Sequence, residues 1–250
     1  MPPAQRVQSV DRTLDVLEAL ADAGGAARSK DLATAIRLPV PTVHRVLSTL
    51  AARGIVLQLA DRSYSLGPRL VRLGAVAAHQ TGAEAQPLLA ALAEALGETV
   101  NLAFFTRDSM TYVAQAASPR SMRMFTEVGR RVPLHNTGVG KAVLARLPED
   151  EARALLSPPG SYTHLTPPTN LAVLDELARA RHSGFAVDDE EQEVGVRCLA
   201  VAIDGGPAPA GLSVSGPSSR LTPDAFTEVA RSLTDTADRL AARWRSYQTD

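Results

Sequence analysis

A single cysteine, Cys198, in a chain of 250 residues leaves no partner for an intramolecular disulfide and no thiolate cluster for a structural zinc site. No apolar run approaches the length of a membrane span. The opening Met1-Pro2-Pro3-Ala4-Gln5-Arg6 lacks the apolar stretch of a signal peptide, so a cytoplasmic location is expected. Lysine is nearly absent, since Lys30 and Lys141 are the two lysines among 26 basic residues. A bulk charge imbalance is missing as well: 26 basic against 27 acidic residues give no nucleic-acid signal in the composition as a whole. There is no internal repeat, and 45% hydrophobic with 21% charged residues is ordinary globular composition, not that of a disordered chain. His135 and His164 have no convincing set of ligand partners, so no metal and no cofactor are expected.

What is present begins with Ser29 to Gly54, SKDLATAIRLPVPTVHRVLSTLAARG, which reads as two short helices joined by a four-residue turn. In the second helix Val43, Val46, Leu47 and Leu50 fall at i, i+3, i+4 and i+7, leaving Thr42, His44, Arg45, Ser48 and Thr49 on the other face. Leu32, Ala33 and Ile36 give the first helix its own inward stripe. Arg37-Leu38-Pro39-Val40 interrupts the run, because proline disfavours helical backbone in the residue before it. Pro41, with no N–H to lose, restarts the helix. Ile55, Leu57 and Leu59 then alternate, Ala60-Asp61-Arg62-Ser63 turns, and Tyr64 and Leu66 alternate again, which predicts a hairpin wing with Arg62 at its tip. Upstream, Val10, Leu14, Leu17 and Leu20 mark a helix expected to close a three-helix core. The competing reading is an ordinary helical hairpin with solvated arginines. Charge distribution weighs against it: residues 1–75 carry ten Lys and Arg against six Asp and Glu, a net of +4, and residues 76–250 a net of −5.

From Pro68 to Thr81 a linking helix is expected, with Leu70, Leu73, Val76 and Ala77 along one side. An alanine-rich helix from Ala83 to Leu96 stops at Gly97. Alternation predicts strands at Thr99 to Phe105, Thr111 to Ala116, Phe185 to Asp188, Leu199 to Ile203 and Gly211 to Ser215. Helices are expected at Val139 to Arg146, Pro148 to Leu156 and Leu171 to Ser183, with Pro158-Pro159-Gly160 and Pro167-Pro168 punctuating the loops. A last helix is expected to take Thr222 as N-cap and Pro223 at its first position, and to reach Trp244.

These residues resemble the IclR-type transcriptional regulators of bacteria over nearly the whole chain. Arg6-Val7-Gln8-Ser9-Val10-Asp11-Arg12 looks like that family's opening, Pro41-Thr42-Val43-His44-Arg45 its recognition helix, and Tyr64-Ser65-Leu66-Gly67 the end of its wing. In the body, Leu134-His135-Asn136-Thr137-Gly138-Val139-Gly140-Lys141-Ala142, Asp188-Asp189-Glu190-Glu191, Gly195-Val196-Arg197-Cys198 and Ser213-Val214-Ser215-Gly216-Pro217 occur in the family's order. The resemblance implies an α+β chain: a winged helix-turn-helix domain at 1–67, a linker helix at 68–82, and at 83–250 a GAF-like effector and oligomerisation domain with an antiparallel sheet flanked by helices. It implies no catalysis. It implies instead a ligand-responsive regulator, more often a repressor, which binds double-stranded DNA at a palindromic operator as a homodimer or homotetramer. The DNA-facing residues would be Thr42, His44, Arg45, Thr49, Arg62 and Tyr64. Arg45 is the candidate for a guanine, because a guanidinium can donate twice to O6 and N7. The chain departs from the family's polar pair before the recognition threonine, having Val40-Pro41 there, which removes a side-chain cap and phosphate contacts.

By position, the resemblance places effector contacts at Gly138, Val139, Asp188, Cys198, Ser213 and Ser215, for a carboxylic acid of hydroxy, keto or aldehydo, ureido or aromatic type. Backbone N–H groups at a helix start make an anion seat without a lysine. Ser213 and Ser215, two apart on a strand, point the same way. Asp188 would repel an anion unless it is protonated or the ligand offers donors. Lys141 is expected on the helix surface. Two rivals belong to other classes: a hydrolase with Cys198 as nucleophile and His135 or His164 as base, and an architectural DNA-binding protein whose body only oligomerises.

Overall fold

The structure, a computed structural model, describes residues 7–124, 126–156, 160–206 and 208–247. Arg6, Pro158 and Pro159 of the motifs above lie outside the described residues. The chain divides into two compact units between Ala77 and Ala78. In the first unit α1 (Gln8–Asp22), β1 (Ala26–Ala27), α2 (Ser29–Ala35) and α3 (Val40–Ala52) precede a wing of β2 (Val56–Gln58) and β3 (Tyr64–Leu66). The small sheet has the order β1-β3-β2 and is antiparallel throughout. Val16 and Leu20 from α1, Leu32 and Ala33 from α2, and Val43, Leu47 and Leu50 from α3 meet Val56 and Tyr64 in one core.

Two details of this head differ from expectation. Val10 and Leu14, assigned to the core by their spacing, are 54% and 52% exposed. The head core takes the C-terminal half of α1, while Val10 and Leu14 line an open groove with Thr42, Arg45, Val46 and Thr49 of α3. The two-residue strand β1 was invisible to alternation, being too short to show a period.

The division between the units falls within α4 (Arg69–Thr81). In the second unit α5 (Gln86–Leu96) ends at Gly97, which adopts the left-handed conformation (φ 69°) that a side chain disfavours. There follow β4 (Thr99–Thr106), β5 (Ser109–Ala116), β6 (Arg131–Val132), α6 (Gly138–Arg146), α7 (Glu149–Leu155), α8 (Asn170–Ser183), β7 (Ala186–Asp189), β8 (Val196–Ile203), β9 (Ala210–Pro217) and α9 (Phe226–Tyr247). Thr222 makes no side-chain cap bond; Pro223–Ala225 form a 3-10 turn that feeds α9 instead. The strands form one antiparallel sheet of order β6-β5-β4-β9-β8-β7.

Alternation sorts the sheet's side chains onto two faces. Leu102, Leu199, Val201, Leu212 and Val214 pack with α5 and α9. Ala103, Met110, Tyr112, Ala186 and Ala200 pack with α6 and α8. The α6 face is built for close approach. A Cβ on Gly140 would lie 2.5 Å from the Leu134 backbone, and one on Gly211 would lie 3.1 Å from Val139 Cβ. Glycine at these positions lets a helix start sit directly on the strands, which positions the site described next.

Candidate DNA interface and effector site

In the head, α2 ends at Ile36, and Arg37 (φ 52°), Leu38 and Pro39 turn the chain into α3. Pro39 is the N-cap residue and no side chain caps the helix, in keeping with Val40-Pro41 replacing a polar pair. With Val43, Leu47 and Leu50 buried, His44, Arg45, Ser48 and Thr49 are exposed and Thr42 is half-buried. Thr49 Oγ1 donates to Arg45 O at 2.9 Å, which leaves the hydroxyl free only to accept. At the wing tip Arg62 is exposed in left-handed backbone (φ 66°). The bend is tied by Asp61 Oδ1, which accepts from Ser63 N (3.0 Å) and Ser63 Oγ (2.6 Å). These bonds lower the Asp61 pKa, the side-chain bond first. Tyr64 corrects the sequence reading. It is 4% exposed within the head core, so its ring packs against α1 and α3 and is not offered to DNA.

In the body, directly paired residues on antiparallel strands share a face. One row across the sheet is therefore Asp188, Cys198, Ser215 and Thr99. The next is Ala186, Ala200, Ser213, Asn101 and Gln115. The N-terminus of α6 lies over these rows: a Cβ on Gly138 would sit 3.2 Å from Ala200 Cβ and 3.4 Å from Cys198 Cβ. Thr137 caps α6, its Oγ1 accepting from Gly140 N at 3.3 Å and donating to Pro133 O at 2.6 Å. The N–H groups of Gly138 and Val139, first in the helix, have no intrahelical acceptor and carry the positive end of its dipole. The structure thus brings all six expected effector residues to one buried region.

The electrostatics of that region are unusual. Asp188 is 4% exposed, and its Oδ1 accepts from Glu191 N (2.9 Å) and Gln192 N (3.3 Å). Burial, with the Glu191 charge second, pushes its pKa up to about 7. Burial, then Asp188, pushes the Cys198 thiol up to about 12, and its Sγ is hydrogen-bonded to Ser215 Oγ. A thiol so held is not a ready nucleophile, which weighs against the hydrolase reading. His135 lies with Nε2 3.2 Å from Gly160 O, its pKa lowered by burial. Tyr112, buried on the same sheet face, has its pKa raised by burial and then by Cys198 and Asp188.

Lys141 contradicts the expectation of a surface residue. It is 1% exposed, and its Nζ donates to Glu191 Oε1 at 2.5 Å and Glu176 Oε2 at 2.6 Å. The residues of α6 from Gly138 to Ala145 are all buried between the sheet and α8, so this helix has no solvent face for a lysine to occupy. Glu191 is pulled two ways: burial raises its pKa and Lys141 lowers it. Through Glu191, whose N–H donates to Asp188, the lysine is linked to the polar row. Sequence reasoning also missed Asn101, Asn136 and Tyr112. A polar amide inside the apolar strand pattern of 99–105 was the available signal for Asn101.

A winged helix-turn-helix head and a body enclosing a polar site beneath a helix start define a DNA-binding regulator that senses a small molecule. The family comparisons agree. Residues 74–242 match the family described as bacterial transcriptional regulator IclR C-terminal, and residues 9–60 match the IclR helix-turn-helix domain. The chain belongs to the IclR family of bacterial transcriptional regulators, which are not enzymes. It is 36% identical over 237 residues to the acetate operon repressor of Salmonella typhimurium, covering 91% of this chain and 86% of that one. It is 34% identical over 245 residues to the transcriptional repressor AllR of Escherichia coli, covering 94% and 90%. Among solved structures, a regulator from Silicibacter sp. aligns with TM-score 0.82 at 28% identity over 94% of this chain and 95% of that one. One from Alicyclobacillus acidocaldarius aligns with TM-score 0.83 at 26% identity over 95% and 99%. No helix among the described residues is long and apolar enough to cross a membrane.

Proposed function

We propose that this regulator is a cytoplasmic repressor that binds a palindromic operator and responds to a small carboxylic acid seated at Gly138, Val139, Asp188, Cys198, Ser213 and Ser215. The observation that carries this reading is the buried polar row Asp188, Cys198 and Ser215 lying under the N-terminus of α6. The N–H groups of Gly138 and Val139 receive the carboxylate. Ser213 and Ser215 donate to its oxygens. Asp188, with a pKa near 7, carries a proton in a large fraction of molecules at neutral pH and then donates instead of repelling. That favours an acid with a further polar group, of the hydroxy, keto or aldehydo, ureido or aromatic classes.

On the DNA side, Arg45 reads a base, with Thr42, His44 and Thr49 beside it, and Arg62 holds the backbone or reaches the minor groove. Exposure of Val10 and Leu14 on α1 supports pairing of heads in a homodimer, and the alternative assembly is a tetramer of two such dimers. Functionally the chain is divided into a DNA-binding domain at 1–67, a linker helix at 68–82 and an effector domain at 83–250. The effector acts because it binds the DNA-competent and DNA-incompetent arrangements unequally, and the linker helix carries the change to the paired recognition helices.

Fluorescence anisotropy at fixed salt, on a duplex from upstream of the protein's own gene against a scrambled duplex, tests this. The expected result is preference for the native duplex and a shift in that affinity on adding a hydroxy or ureido acid. Saturable DNA binding that no acid alters would favour the architectural alternative.

A further inference from the structure

Asn136, next to the residue that caps α6, is fully buried, and neither its Oδ1 nor its Nδ2 has a hydrogen-bond partner among the described residues. Ser213 is also fully buried, with its hydroxyl directed at the Cys198 thiol. Ser213 is the ladder partner of Ala200, on which Gly138 packs, and Asn136 precedes Gly138 by two residues in the chain. Asn101 provides the contrast. It is equally buried on the same sheet face, yet its Nδ2 donates to Ser215 Oγ and its Oδ1 accepts from Gln115 Nε2, each at 3.3 Å. One amide of this region is satisfied by the protein and the other is not. A buried amide left unpaired is costly, so its persistence points to a partner that the fold does not supply.

We propose that Asn136 is a specificity-determining residue that recognises a primary amide or ureido group on the effector, a reading that rests on the carboxylate seat proposed above. The chemistry selects the class. A carboxylate offers acceptors alone and would satisfy Nδ2 while facing Oδ1 with like partial charge. A hydroxyl brings one hydrogen and bonds one edge well. An amide presents a donor and an acceptor side by side, matching both atoms of Asn136 in two parallel bonds. The effector is therefore an acid with an amide-bearing second end.

Isothermal titration calorimetry of the full chain with succinamate and 4-methylpentanoate, two acids of the same shape that differ in the amide, provides the test. Succinamate is expected to bind roughly tenfold or more tightly, since a site built to hydrogen-bond discriminates strongly against an analogue lacking the group. Asn136→Leu should abolish that preference, leave 4-methylpentanoate affinity within about twofold and not lower Tm, because the leucine removes an unpaired polar group. Ser213→Ala should weaken both acids. Equal binding of the two acids by the unmodified protein overturns the assignment of Asn136, as does Asn136→Leu weakening both alike or lowering Tm with the preference intact. Loss of preference in Asn136→Leu with no effect of Ser213→Ala upholds Asn136 and sinks the seat. Failure of both acids to bind sinks the two together.

Discussion

His44, Arg45 and Arg62 in the head are exposed, whereas Asp188, Cys198, Ser213 and Ser215 in the body are at most 8% exposed. The head holds its working groups in water on a face that its core does not need. A polyanion can then recruit them by displacing water and counterions, and each contributes nearly independently. The body holds its working groups against one another, where loss of solvent changes their protonation and every charge requires a partner. Asp188 and Cys198 titrate far from their ordinary values for that reason. Substitutions in the head should therefore act on recognition, and substitutions in the body on stability and on pH response as well.

The most severe challenge to this contrast is Lys141→Ala. Removing one partner of a buried ion pair leaves Glu191 uncompensated at 5% exposure, so a loss of about 3–5 kcal/mol in unfolding free energy is expected by chemical denaturation. A loss under about 1 kcal/mol would mean that the pair is solvated after all. Next comes Arg45→Ala, expected to cost about 1–3 kcal/mol on one base identity while leaving Tm unchanged. An equal loss on every sequence, read by anisotropy across single-base variants, would reduce Arg45 to a phosphate contact.

The pH response should be smaller and confined to the body. Protonated Asp188 admits a carboxylate and ionised Asp188 repels it. Affinity for an acid should thus fall as pH rises through about 7, by at most about tenfold per unit, and Asp188→Asn should flatten the profile. The same raised pKa carries a stability sign. The folded state binds the proton more tightly than the unfolded chain, so this group's contribution is fully present below pH 3.8 and is lost as pH rises to about 7. Asp188→Asn should accordingly raise Tm at pH 8 more than at pH 5. Smallest of all is Tyr64→Phe, for which DNA affinity should stay within about twofold, since that ring belongs to the head core. A tenfold loss would restore Tyr64 to the interface.

Legibility followed the same divide. The recognition helix was readable because its apolar residues recur at helical period, and Val43, Leu47 and Leu50 are buried as that period demands. The wing showed through alternation, and most elements of the body appear within a few residues of their expected ends. Where the core fails to reach, pattern misled: Val10 and Leu14 carry the right spacing but line an open groove beside α3. Tyr64 was misjudged because its place in a short strand says nothing about which face is covered. For Lys141, charge argued for solvent while enclosure by α8 and the sheet decided otherwise.

The sequence by itself determined the α+β division, the helix-turn-helix with its wing, the family and the residues that make up the candidate seat. These depend on local periodicity, turn chemistry and motif order, all of which are properties of neighbours along the chain. Only the tertiary structure decided that Lys141 is buried between Glu176 and Glu191, that Asp188 stands beside Cys198 and Ser215, and that the Asn136 amide is left without a partner. Strand pairing and helix packing join residues 10 to 50 positions apart in these contacts, or withhold them, as for Asn136. Burial and protonation follow from that assembly, because both depend on what surrounds a side chain and not on what precedes it.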